Sequence, residues 1–326
     1  MSEQSPSTRR RRRWPFAAAA LVALLVPVLV SATGTSASVR HTKRTWPKPI
    51  KPIFKHPLAG EGVWHRSGPN YKGGPPVLLT VFRTDPAYPT IVAYVAWFDH
   101  TRTSIAFYPG RYEPPHAAVR GPMMVPYGQR HRLLSTFNAG FTYAYNGNGS
   151  SINGRENEPL KKGLATLVGY KTGAINIVIW NGGVNASKRV AWARQSLPPI
   201  VWNGKLNPKL DNSKAWGETI GNSVRVWRTG VGIDRRGNLM FVVADSQTVK
   251  SLARILKHAG AVRAMQFDIN SFWHTLITYT HDKHGIHPTM VEPQPNHTAY
   301  RYLTPDDRDF FAVYRRLPGK FTVPFK

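Results

Sequence analysis

From Glu61 onward the chain is a succession of short apolar runs, each the length of one strand and bounded by Gly, Pro, Asn or Asp. VLLTVF (77–82), IVAYVAWF (91–98), SIAFYP (104–109), RLLSTF (132–137), LATLVGY (164–170) and INIVIW (175–180) are rich in β-branched and aromatic residues and read as strands. Tyr170–Ala174 reads as a tight hairpin turn between two of them, and Arg235–Asn238 as the turn between RVWRTGVGID (225–234) and LMFVVAD (239–245). One segment is helical. In SQTVKSLARILKHAG, Val249, Leu252, Ala253, Ile255 and Leu256 recur at three- and four-residue spacing and make one apolar face. Asp245, Ser246 or Thr248 supplies its cap and Gly260 its stop. A strand, AVRAMQFD, follows directly and ends on Asp268. No internal repeat and no regular alternation of strand and helix is present. The pattern predicts a single α+β domain built on a strand-rich mixed sheet with few helices, rather than a doubly wound sheet.

Residues 143–163 and 181–224 are rich in Gly, Asn, Ser and Pro. They read as long loops, and loops of that length in a compact domain commonly wall a binding cleft.

The N-terminus speaks to compartment. Arg9–Arg13 precede a mostly apolar run from Trp14 to Val30, broken by Pro15 and Pro27, and small residues follow. A basic start, an apolar middle and a small-residue end make residues 1–32 a secretion signal or signal anchor. The chain is then expected to be exported, either extracellular or tethered to the outer face of the cytoplasmic membrane of a bacterium. Residues 33–60 carry Arg40, Lys43, Arg44, Lys48, Lys51 and Lys55 among four prolines and no acid. They read as an extended, solvated tether, leaving 61–326 as the globular domain. With 44 Lys+Arg against 17 Asp+Glu and a net charge of +27, the natural partners outside a cell are anionic envelope polymers or lipid head groups, not nucleic acid. An inert spacer is the other reading of the tether. The absence of cysteine excludes disulfides, a thiolate nucleophile and Cys-ligated metal.

No GxSxG elbow, GxxxxGK[ST] loop or HExxH helix occurs in the chain. His281, His284 and His287 lie within HDKHGIHP, with His274 just before, and read as surface-loop residues rather than metal ligands. Three polar residues stand out at strand ends where apolar residues converge: Asn138 in STFNAGF, Arg228 in VWRTGVGID and Asp268 in AMQFDIN. A carboxylate in such company is costly unless paired or used. Turn chemistry at Asn138 and a salt bridge between Arg228 and Asp268 would account for all three without any function.

Taken together these segments resemble the phosphodiester glycosidase family. FNAGF (137–141) is similar to that family's NGGFF-type motif, and GLATLVGYKTGAINIVIW to the hairpin that follows it. RTGVGIDRRGNLMFVVAD is similar to its Arg-Thr strand pair, and the helix with GAVRAMQFDIN to its late helix and acidic strand end. The resemblance spans about residues 130–270, with DFFAVY (309–314) as a closing strand. One departure is plain: the family commonly reads Asp-Gly-Gly-Gly-Ser-Ser where this chain has Asp268-Ile269-Asn270-Ser271-Phe272-Trp273. Side chains at those positions forbid the close backbone approach that glycine allows, so the pocket is reshaped.

The resemblance implies a hydrolase that cleaves a sugar 1-phosphodiester in an envelope or extracellular glycan. Asp268 and Arg228 are the candidate catalytic pair. A carboxylate can stabilise an oxocarbenium-like state, act as nucleophile or activate water, and a guanidinium can grip phosphate oxygens. Asn138, Thr229 and Asn270 are the candidate substrate-binding residues, and no metal ligand is assigned. A divalent cation such as calcium is compatible with such chemistry. Asp234 and Asp245 are explained as turn and cap residues. The competing reading is a non-catalytic envelope protein that binds anionic glycopolymer through the same cleft. Retained Asn138, Arg228 and Asp268 favour the enzyme.

Overall fold

The computed structural model describes residues 46–68, 71, 73–182, 189–217 and 222–317; the expected signal or anchor segment and the first part of the expected tether lie outside them. Three sheets carry the fold. The first runs in the order His65–Arg66, Val77–Arg83, Val92–Phe98, Leu239–Gln247, Val226–Asp234, Ala261–Gln266, Val201–Trp202, Lys205–Leu206. The second runs Arg155–Glu158, Ser150–Ile152, Val190–Gln195, Ala165–Tyr170, Ile175–Ile179, and the third Gly285–Met290, Leu276–Asp282, Leu133–Asn138, Phe310–Arg315, Thr103–Tyr108.

The strand-rich architecture with few helices is the one the sequence pattern implies. A parallel pairing, which a mixed sheet would contain, is not found among the described residues: every strand pair is antiparallel. The helix Val249–His258 is the reason. It leaves Leu239–Gln247, crosses over Val226–Asp234 and delivers Ala261–Gln266 to that strand's far side, so the two parallel strands never touch. Thr248 is the helix cap: its Oγ1 accepts from Ser251 N at 3.0 Å while its own N donates to Ser251 Oγ at 2.9 Å. Gly230 and Gly232 in the strand beneath let the helix close in. A Cβ on either would lie 3.2 Å from a methyl of Leu252 or Leu256.

The apolar core lies between the sheets. Phe137 of the third sheet stacks on Phe241 of the first at 4.6 Å and on Phe311 at 5.4 Å, and Trp192 from the second packs on Phe311 at 5.3 Å. Strong apolar burial here and under the helix is the main stabilising term.

Several sequence readings need correction. The segments 143–163 and 181–224, read as long loops, contain strands, and Val190–Gln195 is buried at the centre of the second sheet. Its run VAWARQ hides an arginine and a glutamine among apolar residues, which masks the strand. The histidine segment is not a loop: Leu276–Asp282 and Gly285–Met290 form a hairpin. There His281 Nε2 meets Arg130 O at 2.8 Å and His287 pairs with Asp282 at 2.8 Å on the surface. The tether is not solvated through Gly60. Ile50 is buried and its N donates to Gly62 O at 2.8 Å, Trp64 Nε1 donates to Lys48 O at 2.9 Å, and Trp46 packs on the helix-side core. Among the described residues no helix is long and apolar enough to cross a membrane.

One close approach shapes the site. Gly110 lies against the segment before Phe310, and a Cβ there would sit 2.4 Å from Asp307 O and 2.5 Å from Arg308 C. Backbone bonds from Arg111 N to Asp306 O and from Glu113 N to Asp307 O, at 2.8 and 3.2 Å, depend on that approach. Replacing Gly110 with alanine is expected to destabilise the chain by about 1–3 kcal/mol through overpacking, read as a lower urea midpoint with unchanged slope.

A second prediction concerns pH. His274 Nδ1 lies 3.5 Å from Glu292 Oε1, both buried, with Trp227 stacked on the imidazole at 3.9 Å. Burial pushes Glu292 up to about 8 from 4.5, although Leu276 N donates to its carboxyl. Burial, with Arg301 and His297 adding to it, pushes His274 down to about 4 from 6.5. At neutral pH this is a contact between uncharged groups. Because the folded value of Glu292 lies above its ordinary one, its contribution is complete below about 4.5 and lost as pH rises through 8. His274 runs oppositely: its contribution is complete above about 6.5 and lost as pH falls through 4. Glu292→Gln should therefore flatten the decline in unfolding free energy between about pH 6.5 and 8, where the opposing contribution of His274 is already complete. An unchanged slope over that range would contradict the placement of Glu292.

Candidate functional site

Three of the five residues singled out in the sequence meet at one point. Thr229 Oγ1 accepts from Asp268 N at 2.9 Å and from Asn138 Nδ2 at 3.0 Å. Asn138 Oδ1 accepts from Thr275 N at 3.0 Å. All three are buried. The polar groups of Asn138 and Thr229 are thus spent on joining the strand ends of the first and third sheets.

Asp268 is held on both oxygens. Oδ1 accepts from Ile269 N at 2.7 Å and Asn270 N at 2.9 Å, and Oδ2 accepts from Arg308 Nη2 at 3.0 Å. Its ionic partner is therefore Arg308, not Arg228. Arg228 and Thr229 are successive residues of one strand and point to opposite faces, so only Thr229 reaches the Asp268 side. Arg308 Nη2 also donates to Gly140 O at 2.9 Å, which clamps the FNAGF turn to the acidic turn. Asn270 is exposed, with Oδ1 accepting from Phe272 N at 2.9 Å.

Trp273 packs against two guanidiniums. The guanidinium of Arg308 lies 5.1 Å from its ring centre and that of Arg301 5.2 Å. Arg301 in turn pairs with Asp306 at 2.7 Å. Beyond them, Arg194 Nε donates to Asp309 Oδ2 at 2.7 Å, as does Tyr143 OH at 2.7 Å, and all three side chains are buried. Arg308, Asp309 and Arg194 escaped sequence reasoning. DDRDF (306–310) was the available signal: four charges directly before a buried strand must be paired or used.

Arg228 stands apart. It is buried, and its donors go to neutral acceptors: Gln247 O at 2.7 Å, Gln266 Oε1 at 2.8 Å and Val224 O at 3.4 Å. Among the described residues no carboxylate pairs with it, and burial pushes its pKa down to about 10. It lines a cleft of about 320 Å³ with Ser213, Lys214, Gly217, Asn222 and Ser223. These come from the Gly/Asn-rich stretch before it. Gly217 also borders the Asp268 region, since a Cβ on it would lie 2.9 Å from Ile269 Cδ1 and 3.0 Å from Phe141 Cζ. The described residues hold no group of three or more His, Asp or Glu placed to bind a metal. Beside Asp268 the positive charge comes from Arg308.

The phosphodiester glycosidase family model matches residues 116–268. No curated protein matches the sequence significantly. Among solved structures, the chain is similar to the zebrafish N-acetylglucosamine-1-phosphodiester alpha-N-acetylglucosaminidase catalytic domain auto-inhibited by its pro-peptide, at 16% identity and a TM-score of 0.48, covering 83% of this chain and 96% of that one. It is also similar to a hypothetical protein from Synechocystis, at 12% identity and a TM-score of 0.42, covering 74% of this chain and 62% of that one. The matched span includes the FNAGF turn, the Arg-Thr strand pair and Asp268, and over it this chain resembles the phosphodiester glycosidases, a family of hydrolases.

Proposed function

We propose that this chain is an exported hydrolase that cleaves a sugar 1-phosphodiester in an envelope or extracellular glycan. The observation that carries the proposal is the buried guanidinium of Arg228, which has no carboxylate partner among the described residues and lines a cleft, in a chain that matches the glycosidase family around it. Burying a cation without a counter-charge costs several kcal/mol, and an anionic ligand offsets that cost. Arg228, with Lys214 at the rim, suits a phosphodiester.

The phosphate is a good leaving group, so the demand on the protein is to stabilise positive charge at the anomeric carbon. Asp268, whose neighbour Ile269 packs at Gly217 on the edge of that cleft, is the carboxylate that would meet it. Its oxygens are held by Ile269 N, Asn270 N and Arg308, which fixes it for electrostatic stabilisation rather than for attack. Exposed Lys48, Lys51 and Lys55 on the docked tether would favour anionic polymers or lipid head groups nearby. The N-terminal pattern supports export.

One observation favours the competing reading, a non-catalytic binder of anionic glycopolymer: both oxygens of Asp268 are engaged, Oδ1 by two backbone amides and Oδ2 by Arg308. Sugar release decides between them. The full chain should liberate free sugar from a sugar 1-phosphodiester, with Arg228→Gln weakening substrate use roughly 10- to 100-fold, the worth of one charge-assisted hydrogen bond. Arg228→Lys should retain part of it. Retained binding of phosphate-bearing polymer by the parent, with no sugar released from any substrate, would establish the binder instead.

A further inference from the structure

Glu113 is the acidic group that the proposed reaction leaves unused. It is half-buried on the turn that Gly110 presses against Asp307 and Arg308, with Gly110 N donating to Glu113 O at 2.7 Å. Tyr143 N donates to its Oε2 at 3.1 Å, and among the described residues nothing donates to its Oε1. The charged groups facing it are Asp309 and Arg308, from the segment leading into Phe310–Arg315, and Arg194, from Val190–Gln195. Burial, and then the charge of Asp309, raise its pKa above the ordinary carboxylate value against the pull of the Tyr143 amide and the two guanidiniums.

Its neighbourhood is polar and incompletely paired. Arg308 Nε, Asp309 Oδ1 and Ser196 Oγ are buried without a hydrogen-bond partner among the described residues. Gly140 leaves room beside them: a Cβ there would stand 3.7 Å from Ser196 Oγ and 3.8 Å from Arg194 Cζ. Buried polar atoms in proteins are otherwise almost always satisfied, so this lining suits water. Arg308 joins the region to Asp268, because the same Nη2 that binds Gly140 O binds Asp268 Oδ2.

We infer that Glu113 is the general base of the hydrolysis, accepting on Oε1 the proton of the attacking water. The inference rests on the hydrolase reading above. Two carboxylates then divide the work by environment, the fixed one stabilising charge and the half-exposed one moving the proton. The water oxygen bonds to the anomeric carbon as the carbon–oxygen bond to phosphate breaks. The electron pair of that bond leaves on the phosphate oxygen, and the proton on Glu113 passes to solvent. A base whose pKa is lifted toward the working pH is the stronger base.

The test uses the full chain on methyl phosphodiesters of N-acetylglucosamine, glucose, mannose and galactose 1-phosphates. Glu113→Gln should lower kcat by about 100-fold or more, leave KM unchanged and remove the acid limb of the pH profile of kcat/KM. Glu113→Asp should restore that limb, and exposed Glu156→Gln should change nothing. In water enriched in oxygen-18 the label should enter the sugar. A Gln variant, or an Asp variant if Gln fails to fold, that contradicts this limb behaviour overturns the role of Glu113 and leaves the hydrolase standing. A parent that releases no sugar from any of the four overturns the hydrolase reading and this one with it.

Discussion

The hydroxyl of Thr229 is the joint on which this site depends. By accepting from both Asp268 N and Asn138 Nδ2 it ties the acidic strand end of the first sheet to the FNAGF end of the third. Both donors are buried, and without the hydroxyl Asp268 N would lose its acceptor while Asn138 Nδ2 would keep only Ala139 O. The same contact fixes where the Asp268 turn begins, and hence where its two backbone amides place the carboxylate. Thr229, a candidate substrate contact in the sequence, is in the structure the hydroxyl that joins the two turns.

Charge is managed in two distinct ways within a strongly basic chain. Arg194, Arg301 and Arg308 are paired with Asp309, Asp306 and Asp268, each at 3.0 Å or less. A buried pair of this kind adds little net stability, because desolvation of both partners consumes most of the Coulomb attraction. Its value is geometric: three pairs radiate from the DDRDF segment and hold the turns around Gly140. Arg228 has no such partner among the described residues, and the two glutamines that hold it orient the guanidinium without neutralising it. The contrast separates the arginines paired with carboxylates from Arg228, the one proposed to take an anion.

Legibility in the sequence followed periodicity. Strands such as Val92–Phe98 and Leu133–Asn138, and the helix from Val249, are legible because their apolar spacing is local and their ends carry turn or capping residues. Val190–Gln195 was hidden because its buried Arg194 and Gln195 are satisfied by partners distant in the chain, Asp309 and Lys161. The Leu276–Met290 hairpin was hidden because its histidines face a polar surface and break the apolar pattern.

The sequence by itself determined the strand-rich class, the single crossing helix, the basic balance and the family resemblance, since each of these is written in local spacing or composition. It also marked Asn138, Arg228 and Asp268 as polar groups in apolar company. Tertiary structure alone decided what each of them contacts. Pairing depends on which side chains the sheets bring together, and Arg308 reaches Asp268 from 40 residues away only because Gly110 lets two backbones close on each other. Adjacent Arg228 and Thr229, by contrast, are parted to opposite faces by the pleat of a single strand.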